Sequence, residues 1–178
     1  MTDEAVNLEQ TVSSVTSGLL RRAREHDHGA WQQLVQVFGP LVYNWCRRLG
    51  LQPPDAENVG QEVFLAVSNS LQRFQYDEQR HSFTGWLRTI TTNKVRDHWR
   101  AIAREPPGEG GSDAQLAWQR LKDVPDETDE SSVQPSDIRF VYSRLVECIR
   151  HDFEETTWKA FYLVAVEERK PPDVAAEL

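Results

Sequence analysis

The chain has 178 residues, 39% of them apolar and 27% charged, with a formal net charge of −8. That suffices for one ordinary domain or two small helical ones, and it excludes a large enzyme scaffold and disorder throughout. The longest uninterrupted apolar run, Ala160 to Val166, falls far short of the roughly 20 residues a membrane span needs, so no membrane insertion is expected. Met1 to Ser17 lack the basic start and apolar core of a secretory signal, and Cys46 and Cys148 alone make no disulfide framework. A reduced, cytoplasmic protein is expected.

Charge is unevenly distributed. Residues 1–20 carry three acids and no base, residues 21–104 twelve bases against eight acids, and residues 105–178 eight bases against seventeen acids. One basic segment thus lies within an acidic chain, and local fields, not totals, steer a phosphate backbone. Residues 1–20 read as a polar N-terminal extension and residues 21–104 as a first helical block. Residues 105–137, with PPGEGGSD and VQPSD, read as an acidic, Pro/Gly-rich flexible linker, and residues 138–178 as a second helical block. GEGGS follows no strand and precedes no Gly-Lys-Ser/Thr, so it is no phosphate loop.

In the first block Trp31, Leu34, Val35, Phe38, Leu41, Val42, Trp45 and Leu49 recur at helical spacing, and Gly50 follows as a stop. Gly39-Pro40 predicts a kink or short break. A second helix is expected after Pro53-Pro54, with Asp55 as N-cap and Ala56, Val59, Val63, Phe64, Val67 and Leu71 buried. A third is expected from Ser82, burying Phe83, Trp86, Leu87, Ile90, Val95, Trp99 and Ile102, with RFQYDEQRHS as the preceding loop. In the second block Ile138, Val141, Leu145 and Ile149 predict one helix, and Trp158, Phe161, Tyr162 and Ala165 another from Thr156 or Thr157. Pro171-Pro172 opens a third, DVAAEL. No strand-period segment competes, and the fold class is all-α.

Enzyme motifs are missing: there is no Walker loop, H-E-x-x-H, G-x-S-x-G, dinucleotide glycine fingerprint or Cys-x-x-Cys pair. The histidines are scattered, so neither a metal nor another cofactor is expected, and no catalytic residue is assigned. Opposite its apolar stripe the third helix offers Arg88, Thr89, Thr92, Asn93, Arg96 and Arg100. This is either a solvated face or one that lies along DNA, with arginines on phosphates or guanine edges. In the preceding loop Phe74, Tyr76, His81 and Phe83 interleave with Arg73 and Arg80, the combination that stacks unpaired bases and holds their backbone by charge, although Phe74 and Phe83 are expected in the core. On the second helix Asp55, Glu57, Asn58, Gln61 and Glu62 form an acidic, amide-rich patch. That patch is either a solvated helix start favoured by the macrodipole or a surface for a basic protein partner.

DAENVGQEVFLAV, SLQRF, and SFTGWLRTI followed by Asn93, Asp97 and Arg100 resemble region 2 of the sigma factors of bacterial RNA polymerase, in the extracytoplasmic-function (ECF) group of the sigma-70 family. The resemblance covers about Arg21 to Arg104 in the family's order and spacing. It implies that the helix of Asp55, Glu57, Asn58, Gln61 and Glu62 docks on the clamp helices of the polymerase's largest subunit. It also implies that Arg73, Tyr76, Arg80, His81, Arg88, Thr89, Thr92, Asn93, Arg96 and Arg100 bind and melt the minus-ten promoter element. Asp97, amid bases, is expected to orient a neighbouring arginine. The second block resembles the start of region 4, a helix-turn-helix whose recognition helix would follow Leu178. The sequence therefore reads as a truncated chain, or as a natural protein that has lost upstream recognition. In the family's arrangement the acidic linker passes near the polymerase active-site path, where its charge is expected to mimic nucleic acid.

The function so implied is a transcription initiation factor with core RNA polymerase and promoter DNA as partners, and an anti-sigma factor as a further one. The competing readings are a sigma-like decoy and a stand-alone DNA-binding regulator.

Overall fold

The computed structural model describes residues 3–74, 82–104, 112–124, 133–150, 154–166 and 169–178. Among these residues every regular element is helical, as the all-α reading expects. In chain order they are α1 (Asp3–Arg24), α2 (His28–Arg48), α3 (Pro53–Ser70), α4 (Phe83–Arg104), α5 (Ser112–Asp123), α6 (Pro135–Ile149), α7 (Glu155–Phe161) and α8 (Pro171–Glu177). A π-helical stretch, Tyr162–Val166, continues α7. The chain divides into two compact units, Met1–Tyr142 and Ser143–Leu178.

In the first unit α2 is the central helix, packed against α1, α3 and α4. Leu34, Val37, Phe38, Leu41, Val42 and Trp45 are all buried along it, each aliphatic or Phe side chain stabilising the fold by about 1.5–3 kcal/mol. Gly39-Pro40 does not break α2, which runs unbroken from His28 to Arg48. Proline removes one intrahelical bond, but Phe38, Leu41 and Val42 around it are buried on neighbouring helices, and tertiary packing overrides the local cost. At its start Asp27 Oδ1 accepts from the Ala30 amide at 3.1 Å and Asp27 Oδ2 meets Arg22 Nη2 at 2.7 Å. The first contact is an N-cap bond. At its end the Gly50 amide donates to Arg47 O and the Leu51 amide to Cys46 O, both at 3.1 Å, the paired bonds of a Schellman motif. Gly50 has φ 93°, the left-handed conformation that favours glycine.

Three boundaries differ from expectation. Residues 1–20, expected to be a polar extension apart from the first helical block, form most of α1, which buries Val12, Thr16, Leu19 and Leu20. Those residues recur at helical spacing beneath a polar average composition. Nor is 105–137 a continuous flexible linker: SDAQLAWQRLKD forms α5, which packs on α4 and buries Ala117. The glycines and prolines that dominate the local composition flank a short amphipathic segment. The first compact unit also extends past the expected linker to Tyr142, with Asp137 and Val141 buried.

In the second unit Leu163 and Val174 are buried, while Phe161 and Tyr162 are exposed beside Trp158. Arg169 and Glu177 pair at 2.6 Å. Strong hydrogen bonding from that guanidinium, aided by its charge and that of Lys159, holds the Glu177 carboxyl below its ordinary value.

Candidate functional site

The acidic helix starts three residues earlier than its composition suggests. Pro53 and Pro54 occupy the first helical positions and Gln52 is the N-cap, so Asp55 lies in the first turn and is not the cap. Prolines suit those positions because their missing N–H groups would be unbonded there anyway. Ala56, Val59, Val63, Val67 and Leu71 are buried as expected, while Phe64 is half-buried and meets Trp31 edge-on at 6.3 Å. Glu57, Asn58, Gln61 and Glu62 are exposed, and Asp55 is half-buried. Spacings of three and four place the exposed group on one ridge with Leu65, which is 64% exposed. Sequence periodicity missed Leu65, whose only signal was a large apolar residue off the buried stripe. Glu62 Oε2 lies 3.4 Å from Lys94 Nζ on α4.

On α4 the expected basic face divides in two. Asn93 and Arg100 are exposed, Thr89 is half-buried, and Arg100 Nη1 pairs with Asp97 Oδ1 at 3.1 Å. Asp97 does hold a neighbouring arginine. The line Arg88, Thr92 and Arg96 turns into the protein instead: Thr92 and Arg96 are buried and Arg88 is half-buried. The guanidinium of Arg88 stands 5.1 Å from the Trp45 ring centroid. Burial pulls its pKa down, opposed by the Asp137 charge and assisted by Arg48. Arg88, Thr92 and Arg96 are thus not open nucleic-acid contacts in this structure. Hydropathy assigned one buried stripe, but α4 packs against α2, α3 and α5, and three neighbours cover a wider arc than one stripe supplies. Trp86, Ile90 and Ile102, expected in the core, are only half-buried for the complementary reason.

After α3, Arg73 is exposed on a short turn, Leu71 to Phe74. Tyr76, Arg80 and His81 lie outside the described residues. Phe74 and Phe83 are buried as expected. The Phe74 ring stacks on Trp86 at 4.3 Å and meets Phe83 edge-on at 6.1 Å. At the start of α4 the Ser82 Oγ accepts from the Gly85 amide at 3.0 Å, a cap bond.

Residues 34–105, which hold most of α2, all of α3 and all of α4, match the family Sigma-70 region 2. These residues form a Sigma-70 region 2 segment. It is 36% identical over 87 residues to the RNA polymerase sigma factor NccH of Alcaligenes xylosoxydans, covering 49% of this chain and 45% of the relative. It is 35% identical over 99 residues to the ECF RNA polymerase sigma factor ShbA of Streptomyces griseus, covering 53% and 51%. With the ECF RNA polymerase sigma factor RpoE of Cereibacter sphaeroides it shares 29% over 135 residues, or 74% and 70% of the two chains. The chain spans about half the length of these two relatives, and several of the proteins it resembles are ECF sigma factors.

The region 2 segment is packed by elements outside the matched residues: α1 before them and α5 after them. Asp137, also outside, accepts from Trp45 Nε1 at 3.0 Å and from Arg48 Nη2 at 2.7 Å. Sequence reasoning missed Asp137 because nothing local marks an aspartate as destined for a tryptophan 92 residues away. Among the described residues no group of three or more His, Cys, Asp and Glu side chains is placed to hold a metal ion, and no helix is long and apolar enough to cross a membrane.

Proposed function

We propose that this chain is a transcription initiation factor, a dissociable subunit that binds core RNA polymerase and directs it to promoters by recognising and melting the minus-ten element. The carrying observation is the α3 ridge of region 2, where Leu65, 64% exposed, stands among Glu57, Asn58, Gln61 and Glu62. An apolar side chain ringed by acids and amides fits a helical, basic partner surface, with the leucine as anchor and the acids as steering charges. Under this reading the partner is the pair of clamp helices of the polymerase's largest subunit. The chain works in the cytoplasm, where transcription occurs, and makes or breaks no bond itself.

Promoter DNA then meets Arg73, residues 75–81 and the solvent line Thr89, Asn93 and Arg100. Melting is driven by binding energy. Capturing unpaired bases on aromatic and arginine surfaces offsets the few kcal/mol lost for each base step unstacked. The second unit corresponds to the start of region 4 and offers a further contact to the transcription complex. An anti-sigma protein fits as a competitor for the same ridge.

The burial of Arg96 and half-burial of Arg88 favour a second reading, a decoy that binds polymerase without opening DNA. One experiment separates the two: titrate a fluorescent single-stranded minus-ten oligonucleotide with the chain alone, with core polymerase alone, and with both. The initiation-factor reading expects capture only when both are present. Core binding without capture supports the decoy, and duplex affinity without core supports a stand-alone regulator.

A further inference from the structure

The turn carrying Arg73 is held by a single side chain from outside the family-matched residues. The last carbonyls of an α-helix have no partner within it. Here Leu71 O, at the α3 C-cap, accepts from Arg24 Nε at 3.1 Å, and Phe74 O accepts from Arg24 Nη2. The reverse bond is also made, with Gln72 Nε2 donating to Arg24 O at 2.8 Å. Arg73 therefore lies between two carbonyls fixed by one guanidinium, and its own amide is bonded to Ser70 O at 2.9 Å. On the far side the Phe74 ring is held against Trp86, so backbone and ring are fixed by different helices. A guanidinium suits this role because its donors form a rigid planar fork, which an ammonium lacks. Its charge also complements the negative end of the α3 dipole.

We propose that Arg24 is a positioning residue for nucleic-acid binding. It touches no nucleic acid itself but presents Arg73 in a fixed direction, which makes α1 a working part of the promoter-binding unit. The inference rests on the promoter reading above. It adds that the unit's function reaches back beyond residue 34, where the Sigma-70 region 2 match begins. The physical gain is pre-organisation: with Arg24 in place the Arg73 side chain is presented from one backbone geometry, and without it binding must order the turn first.

The test is a double-mutant cycle in the full chain, bound to core polymerase, read as affinity for a fluorescent single-stranded minus-ten oligonucleotide. Arg73→Ala is expected to weaken capture about tenfold, the effect of losing one charge-assisted hydrogen bond. Arg24→Gln is expected to weaken it severalfold on its own but to add little to Arg73→Ala, because it acts through that side chain. Arg24→Lys, keeping the charge but not the fork, should behave like Arg24→Gln. Gln72→Ala, which leaves both Arg24 donors in place, should give a smaller loss in the same direction and carries the test if Arg24→Gln does not fold. Core-polymerase affinity should be unchanged in all four.

Additive losses in the cycle would overturn the proposal, since they would mean that Arg24 contacts nucleic acid or acts elsewhere. So would full capture by Arg24→Gln, or a parallel loss of core affinity. Failure of the wild-type chain to capture the oligonucleotide with core present would instead refute the promoter reading on which the inference rests.

Discussion

Asp137 is the residue whose loss should be felt furthest from its place in the sequence. It is 3% exposed, and its Oδ2 accepts from the indole Nε1 of Trp45 at 3.0 Å and from the Gln134 amide at 3.3 Å, while Oδ1 takes Arg48 Nη2 at 2.7 Å. Replacing it with alanine leaves a fully buried indole N–H without its acceptor, which costs about 1–3 kcal/mol. The Arg48 pair adds less, about 0.5 kcal/mol, because the Arg48 side chain is 50% exposed and solvent screens it. Loss of the acceptor for Gln134, at the start of α6, adds roughly 0.5 kcal/mol. The sum is about 2–4 kcal/mol, a large fraction of the roughly 5–15 kcal/mol that holds an ordinary domain. In a chain of this size each kcal/mol shifts the midpoint by about 2–4 °C, so Asp137→Ala should melt roughly 5–15 °C below wild type. Asp137→Asn retains a carbonyl acceptor for the indole and should lose about half as much. Calorimetry of the three proteins gives the answer. A midpoint for Asp137→Ala within about 1 °C of wild type would refute the reasoning, because so buried an acceptor cannot be removed at no cost.

Other consequences are local. Gly50→Ala should destabilise by about 1–2 kcal/mol in urea denaturation, because φ 93° opposes a Cβ; the new carbon would also lie 3.3 Å from Arg120 Cδ. Burial pushes the Cys46 thiol up to about 12, so at pH 8 a thiol reagent should label Cys46 only as the chain unfolds, while the half-buried Cys148 labels faster. Equal labelling rates under native conditions would contradict that burial. Asp27 is held below its ordinary carboxylate value by the Ala30 amide first and Arg22 second. Its contribution is therefore fully present above the unfolded value and lost as pH falls through the lower folded one. An Asp27→Asn variant should accordingly lose less stability than wild type when the pH is lowered below about 4.

The sequence made the buried stripe of α3 legible because Ala56, Val59, Val63 and Val67 repeat at helical spacing with nothing to compete, and Ser82 stands where a cap belongs. It misled on α4 for a physical reason. Hydropathy treats arginine and threonine as surface residues, whereas Arg96 and Thr92 are buried and Arg88 lies against Trp45. Long aliphatic stems and hydrogen-bonded hydroxyls can be buried when a third neighbour arrives, and that neighbour, α5, was masked by the glycines and prolines before it. Pro40 was overread, since local cost alone cannot report the packing on either side of it. Contacts such as Asp137 to Trp45 and Arg24 to Leu71 join residues far apart in the chain, and no local pattern encodes them. The family resemblance pointed to a candidate site, and the structure separates its open residues, Glu57, Gln61, Glu62, Asn93 and Arg100, from its enclosed ones.

The most direct test of the account is the affinity of the full chain for bacterial core RNA polymerase, measured by anisotropy of a labelled chain, with Glu62→Ala/Leu65→Ala beside the wild type. Tight binding by the wild type, a loss of at least about tenfold in the double variant and unchanged melting of both proteins is the predicted result. Equal binding by the two proteins would remove the α3 ridge from the interface, and no binding by either would contradict the initiation-factor account itself.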